Sequence, residues 1–263
     1  MSDLEAEHKA WKLHRREALA APDGWLNIIG RYPLEEGNVS VGRAEDNDIV
    51  LSAGPDRVGR LVQDEEGQVI FEPADGSEPL RLALSKSQPP RFTSGHLLLE
   101  VMTINGANAL RVRDTQSVAP AALGALRSFP FDPSWRLSAD WVRLDQAHRL
   151  EIDTSRSIRT EVEATHKAVF TRDGQRFELL ATHGSAERPQ FVFRDETART
   201  GETYAAARFL FGENVTETSI VLDFNRAVSP PCAFTDFAVC PLPPRENILP
   251  IRIEAGELKP DGH

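Results

Sequence analysis

The sequence predicts a mainly β protein, an antiparallel sandwich or open barrel with one N-terminal helix. Beyond Gly24, short runs of β-branched, aromatic and leucine residues alternate with turn residues. Two dipeptides, Asn105-Gly106 and Asp173-Gly174, tolerate the positive φ of tight hairpin turns. Helix-favouring residues are concentrated before Ala20, ahead of this pattern.

In chain order, Ser2 stands three residues before Glu5 as a capping box, and Leu4, Trp11 and Ala18 lie along one helical face. Pro22-Asp23-Gly24 ends this helix, so residues 1–22 are read as a helical segment. A β subdomain is expected over 23–145, with a strand at Val69 to Glu72 and a hairpin of Leu97 to Thr103 with Ala109 to Arg113. The stretch Asp114 to Trp135, rich in Ala, Pro, Gly and Ser, reads as a linker or a loop crossing between sheets. The boundary is placed near Asp145.

A second β subdomain is expected over 146–263. It holds a hairpin of Ala168 to Thr171 with Arg176 to Ala181, and strands at Gln190 to Arg194, Thr203 to Phe211, Thr218 to Phe224 and Ile248 to Glu254. The segment Arg226 to Pro250 is too rich in proline for a central strand, because proline has no N–H for the ladder; it should wrap the surface or wall a pocket.

The chain is 40% hydrophobic and 27% charged, ordinary usage for a packed fold. A formal charge of -10 argues against a nonspecific grip on nucleic acid or on an anionic membrane, both of which need an excess of Lys and Arg. No apolar run approaches the roughly 18 to 20 residues that span a bilayer. The start, Met1 to Glu7, is polar and acidic with no secretory pattern, which points to the cytoplasm.

There Cys232 and Cys240 are expected as reduced, buried thiols. Eight residues apart and without a nearby His, they lack the spacing of a zinc site, and no metal site is expected. A nucleophilic Cys232 needs a base, and the sequence selects none among His96, His148, His166 and His183. No cofactor motif is present: there is no Walker loop, dinucleotide fingerprint, nucleophile elbow or zinc-protease motif.

Asp223-Phe224-Asn225-Arg226-Ala227, Pro230-Pro231-Cys232-Ala233-Phe234, Cys240-Pro241-Leu242-Pro243-Pro244, Asn247 and Ala255-Gly256-Glu257 recur in that order at close spacing. Together they resemble the signature of a microbial domain family of unknown function, most closely over residues 169–257. The resemblance implies a family but no chemistry.

The same residues suggest a site. In a strand from Thr203, alternation puts Tyr204 and Arg208 on one face. An antiparallel strand from Thr218 then brings Asp223 opposite Arg208, with Asn225 beside it and the proline-rich loop as a wall. Arg208 and Arg226 would grip an anion, which needs a bend at Asn225; Asp223 would be the base, and Asn225 and Tyr204 would orient the ligand. The competing reading is structural: an Arg–Asp pair at a sheet end satisfies buried polarity, and Asn225 bonds the local turn. Asp195, in the upstream family-like block Phe193-Arg194-Asp195-Glu196-Thr197, and Glu257 are further carboxylates; Glu257 belongs to a solvated tail unless Gly256 turns it inward.

A different class of function comes from Val41-Gly42-Arg43 through Asn47-Asp48-Ile49-Val50-Leu51, which resembles forkhead-associated domains. Arg43 matches the arginine with which those β-sandwiches contact phosphothreonine, a task suited to paired guanidinium donors. The Ser-x-x-His element of that family is missing after Leu51. The expected function is therefore a cytoplasmic enzyme or sensor acting on a small anionic metabolite. The alternatives are a phosphopeptide-binding module built on Arg43 or a structural protein-interaction domain.

Overall fold

The computed structural model describes residues 3–85 and 88–261. Its contacts divide the chain into two units, one of residues 17–123 and one of 1–16 with 124–263. The division falls within helix α1 (Asp3–Ala20), whose first turn carries Asp3 and Glu5, charges that favour a helix N-terminus. Ser2, the expected capping residue, lies outside the described residues. The boundary expected near Asp145 falls inside a long strand.

The unit of residues 17–123 contains β1 (Ile28–Pro33), β2 (Gly37–Gly42), β3 (Ile49–Val50), β4 (Gly59–Gln63), β5 (Val69–Pro73), β6 (Leu80–Leu82), β7 (Arg91–Ser94), β8 (Leu97–Ile104) and β9 (Ala107–Asp114), followed by the one-turn helix α2 (Ala119–Ala122). They form two sheets, ordered β1-β9-β8-β7 and β3-β2-β4-β5-β6. Alternate residues of both, among them Val41, Leu61, Phe71, Leu99, Val101 and Leu110, meet in one core. The β8–β9 hairpin turns where expected, with Asn105 at φ 50° and Gly106 at φ 80°.

The other face of the four-stranded sheet buries charge. Glu100 accepts from Arg91 at 2.8 Å and from Arg111 at 2.7 Å, with Arg113 at 3.5 Å. The Trp25 ring lies 4.9 Å from the Arg111 guanidinium. Burial, set against the attraction of Glu100 and joined by repulsion from Arg113, lowers the Arg111 pKa to about 10.

The second unit is built on one antiparallel sheet of seven strands: β10 (Arg136–Asp153), β11 (Arg159–Arg172), β12 (Gln175–Leu180), β13 (His183–Gly184), β14 (Pro189–Phe193), β15 (Arg208–Glu213) and β16 (Ser219–Asp223), with the short helix α3 (Glu196–Arg199) between β14 and β15. Their order is β12-β11-β10-β16-β15-β14-β13. Phe224 stands in an aromatic core, with Trp135, Phe170 and Phe193 at ring distances of 5.8, 5.5 and 5.7 Å. The protein is thus mainly β, and no sheet closes into a barrel among the described residues. No described helix is long and apolar enough to cross a membrane.

Two expected strands are corrected. β15 starts only at Arg208, because Thr203 is tied into the turn after α3 by bonds to the Thr197 hydroxyl and carbonyl. Ile248 to Glu254 makes a single bridge, Ile248 to Arg194, in place of a strand. Pro250 can donate to no ladder, and the Ile253 N–H is taken by the Asp195 carboxylate at 2.8 Å. The proline-rich segment also differs from a surface wrap: Ala227, Val228, Cys232, Ala233, Ala238, Cys240 and Leu249 are buried within it.

Arg208 is wholly buried and does not pair with Asp223. It donates to Asp195 at 2.7 Å and to the carbonyls of Ala255 and Ile253 at 2.6 and 3.1 Å. The register sets Leu222 against Gly212, so β16 ends at Asp223 short of the level of Arg208, and Asp223 pairs across the sheet with Arg136.

Removing one member of a buried ion pair leaves the other uncompensated. Arg208→Met should therefore cost about 3–5 kcal/mol, read from denaturant unfolding followed by tryptophan fluorescence. A loss within about 0.5 kcal/mol, the range of ordinary surface substitutions, would contradict this role. For the same reason Glu100→Gln should destabilise the 17–123 unit by a similar amount; hydrogen exchange in β8 and β9 reads that unit separately.

Candidate functional site

At the end of β16, Asp223 caps a 3-10 turn, Phe224–Arg226, by accepting from the Asn225 N–H at 3.1 Å. Its other oxygen takes Arg136 Nη1 at 3.1 Å, since Arg136 opens β10 directly opposite. Glu213, last in β15, accepts from Arg136 at 2.8 Å and from Arg226 at 2.7 Å. Two carboxylates and two guanidiniums thus interlock at one sheet end, and their charges cancel. Asn225 closes the group from beneath, exchanging two bonds with the Asp132 backbone at 2.9 and 3.0 Å.

Helix α1 packs above this cluster through residues of the same unit. Arg15 donates to Glu257 at 3.0 Å and to the Ser229 carbonyl at 3.0 Å, and Lys12 donates to the Ser128 hydroxyl at 2.6 Å. Gly256 makes this possible. At φ 84° it turns Glu257 inward, and a Cβ there would lie 2.5 Å from the Ala227 carbonyl. Glu257 is accordingly buried, accepting also from the Ser229 N–H at 2.7 Å.

His8 is buried on the same helix, its ring 5.7 Å from Trp11 and 5.2 Å from Phe131. Its Nδ1 has no hydrogen-bond partner among the described residues. Burial lowers its pKa; the nearby Asp223 charge opposes that shift, while Lys12 and Arg226 add to it. His8 is therefore neutral at pH 7. Beside it lies a cleft of about 610 Å³ between α1 and residues 125–131. Lys9, Lys12 and Arg16 supply its positive charge, Glu5 one negative charge, and Leu13, Phe129 and Phe131 apolar walls.

Of the residues singled out from sequence, Asp223, Asn225 and Arg226 are brought together, while Tyr204 and Arg208 take partners elsewhere. Tyr204 donates to the Cys232 carbonyl at 3.1 Å, and burial raises its pKa, followed by the effect of Cys232. Arg43 is exposed and paired with Asp56 at 2.7 Å. Arg136, Glu213, His8 and Lys12 were not anticipated. Arg136 follows the buried Trp135 at the start of an alternating run, a signal for a strand, whereas His8 carries no mark in the sequence beyond its place on the helix. No group of three or more His, Cys, Asp or Glu among the described residues is placed to hold a metal ion.

A family model described as "Protein of unknown function (DUF1684)" matches residues 121–258. No curated protein matches the chain. Among solved structures, it is similar to an uncharacterised protein of Haloarcula marismortui determined by solution NMR, with 28% identity over 55% of this chain and 82% of that one and a TM-score of 0.45.

His8 and His183 both have pKa values lowered from 6.5 by burial. As pH falls through 6.5 the unfolded chain takes up these protons first, so stability is complete above that pH and declines below it. Thermal melts between pH 7 and 5 should show this decline, with a shallower slope for His8→Gln; an unchanged slope would show that His8 contributes nothing to it.

Proposed function

Since the chain belongs to the DUF1684 family, whose function is unknown, we propose that its 1–16 and 124–263 unit binds a small organic anion in the cleft beside His8. The observation that carries this reading is the meeting of Lys9, Lys12 and Arg16 with apolar walls, in a chain whose net charge is -10. Such a lining suits a carboxylate or phosphate attached to a hydrocarbon or aromatic body. The interlocked Asp223–Arg136–Glu213–Arg226 group is the floor that holds α1's surroundings in place. In this reading it does not contact the ligand.

His8 is the group that exchanges a proton with the bound molecule, because an anion nearby offsets the cost of charging the imidazole. This revises the role first given to Asp223 and keeps the expectation of a small anionic metabolite. The setting is taken as cytoplasmic, where both cysteines remain thiols. Whether the protein is a sensor or an enzyme depends on whether the bound anion is altered.

The test is a calorimetric and NMR screen of the full chain against aliphatic and aromatic carboxylates, phosphosugars and nucleotides. A ligand should lose about tenfold or more in affinity on Lys9→Glu, roughly 1.4 kcal/mol, and its binding should tighten as pH falls towards 6. Time-dependent change in the ligand's own spectrum would identify an enzyme. Binding indifferent to Lys9→Glu and Lys12→Ala would move the site away from this cleft.

A further inference from the structure

Outside the cleft, the densest unused chemistry lies in the proline-rich segment. Cys232 sits in a 3-10 turn, Pro231–Ala233, and Cys240 stands immediately before Pro241. The Cys232 N–H donates to the Cys240 sulfur at 3.2 Å, so the segment folds back and brings two thiols that are eight residues apart to one place. Neither is in a disulfide.

The surroundings hold this arrangement. Ser155, from the β10–β11 turn, accepts from the Cys240 N–H at 3.0 Å and donates to the Ala238 carbonyl at 3.3 Å. The Ser155 N–H donates to the Cys240 carbonyl at 2.8 Å. Tyr204 reaches the Cys232 carbonyl from the other side. Hydrogen bonds, and not a disulfide, hold this segment in the structure.

We propose that Cys232 and Cys240 form a reactive dithiol that reduces small hydroperoxides and closes to an intramolecular disulfide. The Cys232 thiolate attacks one oxygen of the peroxide, the O–O bond breaks, and the departing hydroxide is protonated to water. Cys232 is then a sulfenic acid. The Cys240 thiol attacks its sulfur, the S–S bond forms, the S–O bond breaks, and the second water leaves with the Cys240 proton. Two thiols give up two electrons and one hydrogen peroxide becomes two waters, so no further reactant is needed.

Cys232 is suited to the first step. Hydrogen bonding from Cys240, opposed by burial, lowers its pKa to about 7. Burial favours a small oxidant over a bulky disulfide. The proposal is independent of the anion cleft and stands or falls on its own observations.

The reduced full chain is exposed to hydrogen peroxide, quenched, unfolded, alkylated with N-ethylmaleimide and weighed intact. The expected product is a monomer lighter by two hydrogens that takes up no alkyl group. Cys240→Ser should yield a sulfenic acid on Cys232, trapped by dimedone. Cys232→Ser should keep its remaining thiol over the same time. Circular dichroism checks each reduced variant, and alanine replaces serine where the fold is lost. Complete alkylation of the treated protein, a disulfide between two chains, or oxidation of Cys232→Ser at the parental rate would each overturn the proposal.

Discussion

The unit that carries the family match depends on one fully buried guanidinium. A charge without water needs both a counter-ion and acceptors for its donors, and the two terminal nitrogens of Arg208 find them in Asp195 and in the carbonyls of Ile253 and Ala255, while its Nε has none among the described residues. Two of those acceptors belong to a tail with no strand of its own. Neutralising Arg208 therefore fixes the tail, the tail delivers Gly256 and Glu257, and Glu257 receives Arg15 of α1. The position of α1 in turn shapes the cleft. A structural ion pair and a candidate binding site are thus successive links of one chain of contacts, although only the second faces solvent.

The ionic groups of the two units solve different problems. Around Asp223, carboxylates and guanidiniums are equal in number and sit at a sheet end with partial access to water, so the cluster is rigid and electrically quiet. Around Glu100, in the other unit, one carboxylate faces Arg91, Arg111 and Arg113. Positive charge is in excess there, which is why burial and mutual repulsion both act to lower the Arg111 pKa.

Local chemistry was legible in the sequence and long-range pairing was not. Asn105-Gly106 and Asp173-Gly174 announced their hairpins because positive φ at both residues is a property of those few residues alone. The Asp223, Asn225 and Arg226 group was found because its members are neighbours in sequence. Arg208 was assigned the wrong carboxylate because the choice between Asp195 and Asp223 rests on strand register, which alternation does not determine. Ile248 to Glu254 has strand composition, but Pro250 and the claim of Asp195 on the Ile253 N–H remove it from any ladder. Thr203 to Ala207 likewise lost its strand to side-chain bonds around Thr197. The inward Glu257 was conditional on Gly256, and the glycine's close approach to the Ala227 carbonyl decided it.

The pairing of Arg15 with Glu257 joins residues 242 positions apart, across the entire 17–123 unit. During synthesis the 17–123 unit has all its strands in one continuous stretch and can close as soon as they emerge. The other unit has to wait: helix α1 is made before the 17–123 stretch, but Glu257, which seats that helix, is made after it. Until then the part of α1 before Glu17 has no place to dock, attached to a neighbour already folded. Contacts at such separation slow the final closure through the entropy of the loop they must seal. A chaperone that held back the nascent chain would act on this interval, after the first unit has folded and before Glu257 arrives.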